Sequence, residues 1–245
     1  MIMRNPGNQN LSGRTNELND NSGPVFEPEL GEFPTEDAQS AEIGDAETKT
    51  GTTTVGLKAQ DSVVLATDMR ASLGRMVSSK NVQKVEEIHP TGALTIAGSV
   101  SAAQSLISSV RAEVRLYEAR RGEDMSMEAL STILSNFLRS GGFFIVQPIL
   151  GGVDSDGPHI YSIDPAGSVL EEEYTVTGSG SQYALGVLEQ EYGDELSVEK
   201  AQSVAAKAIQ SAVERDVASG NGINMCVVDE EGVEITQQKE LETFL

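Results

Sequence analysis

The sequence predicts an α+β fold in which stacked sheets are covered by helices. Two observations carry this. From Thr52 onward, hydrophobic periods follow the order strands, two helices, strands, two helices, strands, which suits helices packed on a sheet sandwich. The segment SVVLATD is apolar on both of its alternating sets, Val63 and Leu65 on one side and Val64 and Ala66 on the other, so it predicts a strand covered on both faces.

The first strands are expected in TTTVGLKA, SVVLATD, VQKVEEI and GALTIAG, punctuated by Gln60-Asp61 and Pro90-Thr91-Gly92. Ala103, Leu106, Ile107, Val110, Val114 and Tyr117 then recur at helical spacing and stop at Arg120-Arg121-Gly122, a basic last turn followed by a glycine. Met127, Leu130, Ile133, Leu134, Phe137 and Leu138 repeat the pattern as far as Gly141-Gly142. Strands return with FFIVQPILGGV and HIYSID. The loop TGSGS leads into a helix carrying Ala184, Leu185, Leu188 and Tyr192. A further helix is expected from Ser197 to Asp216, ended by Ser219-Gly220, and INMCVVD and GVEIT close the chain as strands.

A composition boundary falls near residue 50. Residues 1–51 hold 10 acidic and 3 basic side chains with no sustained period, and read as a disordered leader; residues 52–245 form the folded domain. The whole chain carries a formal charge of −21 from 17 Lys+Arg and 38 Asp+Glu. Such a surface repels polyanions, so neither a nucleic acid nor an anionic membrane is expected as partner. The acid is dispersed rather than gathered in a tail and only 7 of the basic residues are Lys, which suits a protein working in high salt. One cysteine, Cys226, and two histidines, His89 and His159, imply neither a disulfide nor a metal site, and fit a reducing cytoplasm. The longest apolar stretch, Phe143 to Leu150, is interrupted by Gln147 and Pro148 and falls far short of the roughly 20 residues of a membrane span.

The chemistry is expected at the junction Gly51-Thr52-Thr53-Thr54. A threonine triplet by itself only favours a strand. A glycine before it allows the tight turn that cleavage between Gly51 and Thr52 needs. Cleavage there would leave an N-terminal threonine that carries both a hydroxyl nucleophile and an amine able to take its proton near neutral pH.

The chain from Gly51 onward resembles the archaeal-type proteasome β subunits, threonine peptidases of the N-terminal-nucleophile class, and in its acidity a halophilic member of them. The matching segments are the Gly-Thr junction with TTTVG, ATDMR, the pair Lys80 and Lys84, TIAG, LGG, SIDPAGS, TGSGS and RDVASG, in order. The resemblance implies a four-layer αββα sandwich and a leader removed by self-cleavage. Thr52 is similar to the family's nucleophile, with Asp68 and Lys84 as the carboxylate and amine beside it. Gly98 resembles the residue whose N–H supplies an oxyanion hole, and Ser179, Asp216 and Ser219 those that hold the threonine amine and relay protons. Ala71, Val82, Ile96 and Val100 match the specificity pocket; all are apolar, so chymotrypsin-like cleavage is expected. The partners implied are a ring of identical β subunits, flanking α-subunit rings, an ATP-driven unfoldase and unfolded polypeptide substrates. No cofactor is implied.

Three competing signals are weaker. Gly178-Ser179-Gly180 imitates a phosphate cradle but lacks the third glycine, replaced by Tyr183. Asp154-Ser155-Asp156-Gly157 reads as a turn, because the twelfth position of a calcium loop would be Pro165. Cys226 lies in an apolar strand as a small core residue.

Overall fold

A computed structural model describes residues 51–142, 145–193 and 195–245. The expected disorder of the leader concerns residues outside this set. The first sheet has the order β10-β1-β2-β11-β12, formed by Tyr174–Gly178, Thr53–Ala59, Ser62–Asp68, Ile223–Asp229 and Gly232–Gln238. The second runs β5-β6-β7-β8-β9, formed by Val85–His89, Gly92–Thr95, Ile149–Asp154, Gly157–Ile163 and Val169–Glu171. Every pairing is antiparallel. A separate hairpin joins β3 (Ala71–Leu73) to β4 (Met76–Ser79).

Among the described residues, three apolar cores separate four layers. Val63, Leu65, Val85, Ile149, Ile160 and Cys226 fill the space between the sheets. Helices α1 (Val100–Arg121) and α2 (Met127–Phe137) bury Leu106, Val110, Leu130 and Leu134 against Leu94, Leu150 and Tyr161 of the second sheet. Helices α3 (Ser181–Glu191) and α4 (Val198–Val213) bury Ala184, Leu188, Val204 and Ile209 against Val55, Leu57, Val64 and Ala66 of the first. The result is the αββα sandwich. β2 is buried at all seven positions because one face meets the other sheet and the other meets α4.

Local chemistry sets the helix ends. Ser99, Ser126 and Ser197 cap α1, α2 and α4 by accepting from N–H groups three residues on, and Gly122 ends α1 at φ 70°.

The structure corrects the sequence reading at four places. The strand drawn through FFIVQPILGGV begins only at Ile149, because Pro148 has no N–H for the ladder; Phe143 and Phe144 lie outside the described residues. The helix drawn to Asp216 ends at Val213. Leu185, expected on the same helix as Ala184 and Leu188, is 39% exposed where those two are buried. The short strands β3, β4, β9 and β10 lie in segments where no strand was expected, although Tyr174-Thr175-Val176-Thr177 in β10 alternates apolar and polar residues. The turn at Ser155-Asp156 is present as a hairpin between β7 and β8, and Cys226 is fully buried with its thiol pushed up to about 12 by burial.

Candidate active site

Thr52 sits at the mouth of β1, 4% exposed, where the two sheets and the segment after α4 converge. Asp68 ends β2, and Lys84 immediately precedes β5 in the other sheet. Their contact therefore crosses the sandwich. Lys84 Nζ donates to Asp68 Oδ1 at 2.8 Å and to Thr52 Oγ1 at 2.9 Å. The Thr52 hydroxyl donates in turn to Gly51 O at 2.6 Å.

Asp68 is fully buried and satisfied on both oxygens. Oδ1 accepts from Lys84 and from the Thr53 N–H at 3.0 Å; Oδ2 accepts from the N–H groups of Arg70 at 2.9 Å and Gly220 at 3.0 Å. Four donors make it a fixed negative post that orients Lys84. Burial lowers the Lys84 pKa from 10.5, against the opposing pull of Asp68 and, more weakly, Asp216.

A second polar chain lies on the other side of Thr52. The Thr52 N–H donates to Ser179 Oγ at 3.2 Å, and Ser179 and Ser219 each donate to Asp216 Oδ2 at 2.6 Å. With the Ser219 proton committed to Asp216, the 2.7 Å contact between Thr53 Oγ1 and Ser219 Oγ has Thr53 as donor. Asp216 stands in the turn beyond α4, so its carboxylate faces these hydroxyls and the Ala218 N–H at 3.1 Å instead of the end of the helix.

Gly98 precedes the cap of α1 at φ 115°, and a Cβ there would lie 1.8 Å from Ile145 O. It faces Val146 in an isolated antiparallel bridge whose hydrogen bonds come from its neighbours, Ser99 N–H to Ile145 O at 3.2 Å and Gln147 N–H to Ala97 O at 2.9 Å. The Gly98 N–H is therefore turned away from that segment.

Of the four pocket positions, Ile96 is buried, Ala71 and Val82 are half-buried and Val100 is 40% exposed at the start of α1. Val82 N–H donates to Met69 O at 3.0 Å and Ile96 N–H to Lys84 O at 2.7 Å, which ties both to the segments that carry Asp68 and Lys84. A cavity of about 370 Å³ lined by His89, Thr91, Asp124 and Asp154 includes none of these residues. Lys80, the other lysine of its pair, is exposed.

Four further residues belong to this architecture; none of them was given an individual role from sequence, and Thr53 entered only as part of the junction. Ser72 Oγ accepts from the Gly51 N–H at 3.2 Å. Thr53 reaches Ser219 as described. Arg70 donates through Nε to Asn221 Oδ1 at 3.0 Å and through Nη1 to Val217 O at 2.6 Å, holding the loop around Ser219. Asn224 Nδ2 donates to Thr67 Oγ1 at 2.8 Å and Val82 O at 3.1 Å, joining β2 to the pocket edge. Arg70 lies within ATDMR, but its partners are about 150 residues away, beyond the reach of any spacing argument.

Among the described residues no helix is long and apolar enough to cross a membrane, and no group of three or more His, Cys, Asp or Glu side chains is disposed to hold a metal ion.

An αββα sandwich with a threonine at the start of the first strand, facing a lysine and a buried aspartate, defines the class of N-terminal-nucleophile folds. The family described as Proteasome subunit matches residues 48–228, and the chain belongs to that family. It is 79% identical over 243 residues to a protein named Proteasome subunit beta from Haloquadratum walsbyi, covering 99% of this chain and 100% of that protein. The proteins of the same name from Haloferax volcanii and Halorubrum lacusprofundi are 74% identical over 240 residues and 66% over 244. Those alignments cover 98% and 99% of this chain and 99% and 100% of the two relatives.

Proposed function

We propose that this chain is a threonine endopeptidase subunit of a proteasome core particle, made as a precursor that cleaves itself between Gly51 and Thr52. The observation that carries the reading is the double contact of Lys84 with Thr52 Oγ1 and Asp68. It is supported by the absence of room at Gly51, where a Cβ would lie 1.7 Å from the Ala218 Cβ.

In self-cleavage, Thr52 Oγ1 attacks the Gly51 carbonyl carbon. The bond from that carbon to the Thr52 nitrogen breaks as the nitrogen takes up the proton that Oγ1 gives up, leaving an ester and an amine. Water then hydrolyses the ester, releasing the leader as a carboxylic acid and freeing the Thr52 amine. That amine becomes the general base for later substrates, kept neutral by the neighbouring Lys84 ammonium and held by Ser179. Gly98 N–H receives the developing oxyanion, Asp216 and Ser219 relay protons, and Ala71, Val82, Ile96 and Val100 accept an apolar side chain before the cleaved bond.

The assembly proposed is a ring of identical copies stacked on α-subunit rings in the cytoplasm, fed with unfolded polypeptide by an ATP-driven unfoldase. Intact mass and the first residue of the purified chain test the reading. A mature chain starting at Thr52, and a Thr52→Ala variant that keeps its leader and hydrolyses no peptide, are expected. Mature chains starting at Thr53 or Thr54 would overturn it.

A further inference from the structure

The nucleophile and the oxyanion donor of the reading above ride on different sheets. Thr52 opens β1 of the first sheet, whereas Gly98 follows β6 of the second and faces Val146, just ahead of β7. An oxyanion donor works only at hydrogen-bond distance from where the charge develops, so the spacing between the two sheets at this end has to be held closely.

One polar chain makes that tie. Thr177 in β10 stands opposite Thr54 in β1, and their hydroxyl oxygens lie 2.7 Å apart. Thr177 Oγ1 also lies 3.0 Å from Gln147 O, a carbonyl that can only accept. The Thr177 proton is therefore committed to Gln147, and Thr54 is the donor of the first bond. The Gln147 N–H donates in turn to Ala97 O at 2.9 Å, next to Gly98, and the Ser99 N–H donates back to Ile145 O at 3.2 Å. Hydrogen bonds in series strengthen one another. Thr54 is fully buried, so its hydroxyl is out of reach of bulk water. The segment at the far end needs such a hold. Of Ile145, Val146 and Gln147 only Val146 is buried, and Pro148 after them has no N–H to give.

We propose that Thr177 is a positioning residue for peptide hydrolysis. Its hydroxyl holds residues 145–147 against β10 and β1, and so keeps the Gly98 N–H in line with Thr52 Oγ1. It touches neither the substrate nor a transferred proton. This role rests on Gly98 as the oxyanion donor, and it couples that donor to the strand of the nucleophile.

The test uses the full chain with Thr177→Val, which keeps the shape and removes the hydroxyl, and Thr177→Ser, which keeps the hydroxyl. Rates on a fluorogenic peptide with Leu before the cleaved bond are taken per mole of chains that start at Thr52. Thr177→Val should lower kcat about tenfold and change KM less than about twofold, the size of one hydrogen bond acting in the transition state. Thr177→Ser should stay within about threefold of the unmodified chain. The pH midpoints of kcat/KM should stay in place in both, whereas a disturbed Ser179, two residues on, would alter the Thr52 amine and move them. In a Gly98→Ala background, Thr177→Val should cost less than about threefold in kcat, because the donor it aligns is already displaced. Thr54→Val combined with Thr177→Val leaves no hydroxyl buried without a partner and should match Thr177→Val in kcat, which keeps the test decisive if the single variant fails to assemble. An unchanged kcat, a Ser variant as slow as Val, moved pH midpoints or a full tenfold loss on top of Gly98→Ala would overturn the role of Thr177 and leave Thr52 as nucleophile. A Gly98→Ala chain that turns over as fast as the unmodified one would overturn the oxyanion reading of Gly98 together with it.

Discussion

The Lys84 ammonium and the Asp68 carboxylate lie 2.8 Å apart with 4% and 0% of their side chains exposed, and the third member of the contact is the hydroxyl of Thr52. A buried pair is held in place by its surroundings, because removing either charge leaves the other uncompensated. Lys84→Ala should therefore cost about 3 kcal/mol in stability, the lower end of that class, since three backbone N–H groups remain on Asp68. Peptidase activity should fall at least about 100-fold. Chemical denaturation and initial rates on the same preparation check both.

The same burial predicts a pH signature. Burial lowers the Lys84 pKa below 10.5, so activity that depends on its charge should be lost on the alkaline side at a midpoint below 10.5. The sign for stability is opposite. Between the lowered pKa and 10.5 the folded chain binds fewer protons than the unfolded one, so this group's contribution to stability rises with pH there. A rate profile with no alkaline limb below 10.5, recorded where circular dichroism shows the fold intact, would contradict the assignment.

Gly51 and Ala218 should behave as a coupled pair. Gly51→Ala should stop leader release, because its Cβ would lie 1.7 Å from that of Ala218. Ala218→Gly should restore part of it, limited by Ser179 Oγ, which a Cβ at Gly51 would approach to 2.9 Å. Gel analysis of leader release in the two single variants and the double variant measures the coupling.

Gly98→Ala places a side chain 1.8 Å from Ile145 O at φ 115°. The backbone must shift, and the N–H that would meet the oxyanion shifts with it. We expect kcat to fall about 100-fold with a smaller change in KM. Steady-state kinetics on a fluorogenic peptide decide it.

Peptides with Leu or Tyr before the cleaved bond should be hydrolysed faster than peptides with Arg there. The matching positions Ala71, Val82, Ile96 and Val100 offer apolar area, worth about 25 cal/mol per Å² buried, and no carboxylate. Comparing kcat/KM across the three fluorogenic peptides tests this, and Arg as the fastest would refute it.

Much of this was legible in the residues themselves. The two-sided apolar pattern of Val63 to Ala66 states that the strand is covered on both faces, because side chains alternate and both sets must leave water. The glycine after Arg121 and the helical spacing from Ala103 to Val114 are local signals, and both appear in the fold. Asp216 and the strand start at Ile149 were misjudged by a few residues. Helix ends and strand starts depend on hydrogen bonds to distant partners, which a local pattern does not contain.

By itself the sequence determined the layers, the strong negative charge and the junction Gly51-Thr52, since each depends on composition or on neighbours along the chain. Only the tertiary structure decided that Lys84 reaches Thr52 from the opposite sheet, that Ser72 holds the Gly51 N–H and that Arg70 clamps the loop beyond α4. Those contacts join residues 21 to 147 positions apart. A hydrogen bond is made within about 3 Å, and only the packing of four layers brings such distant groups that close.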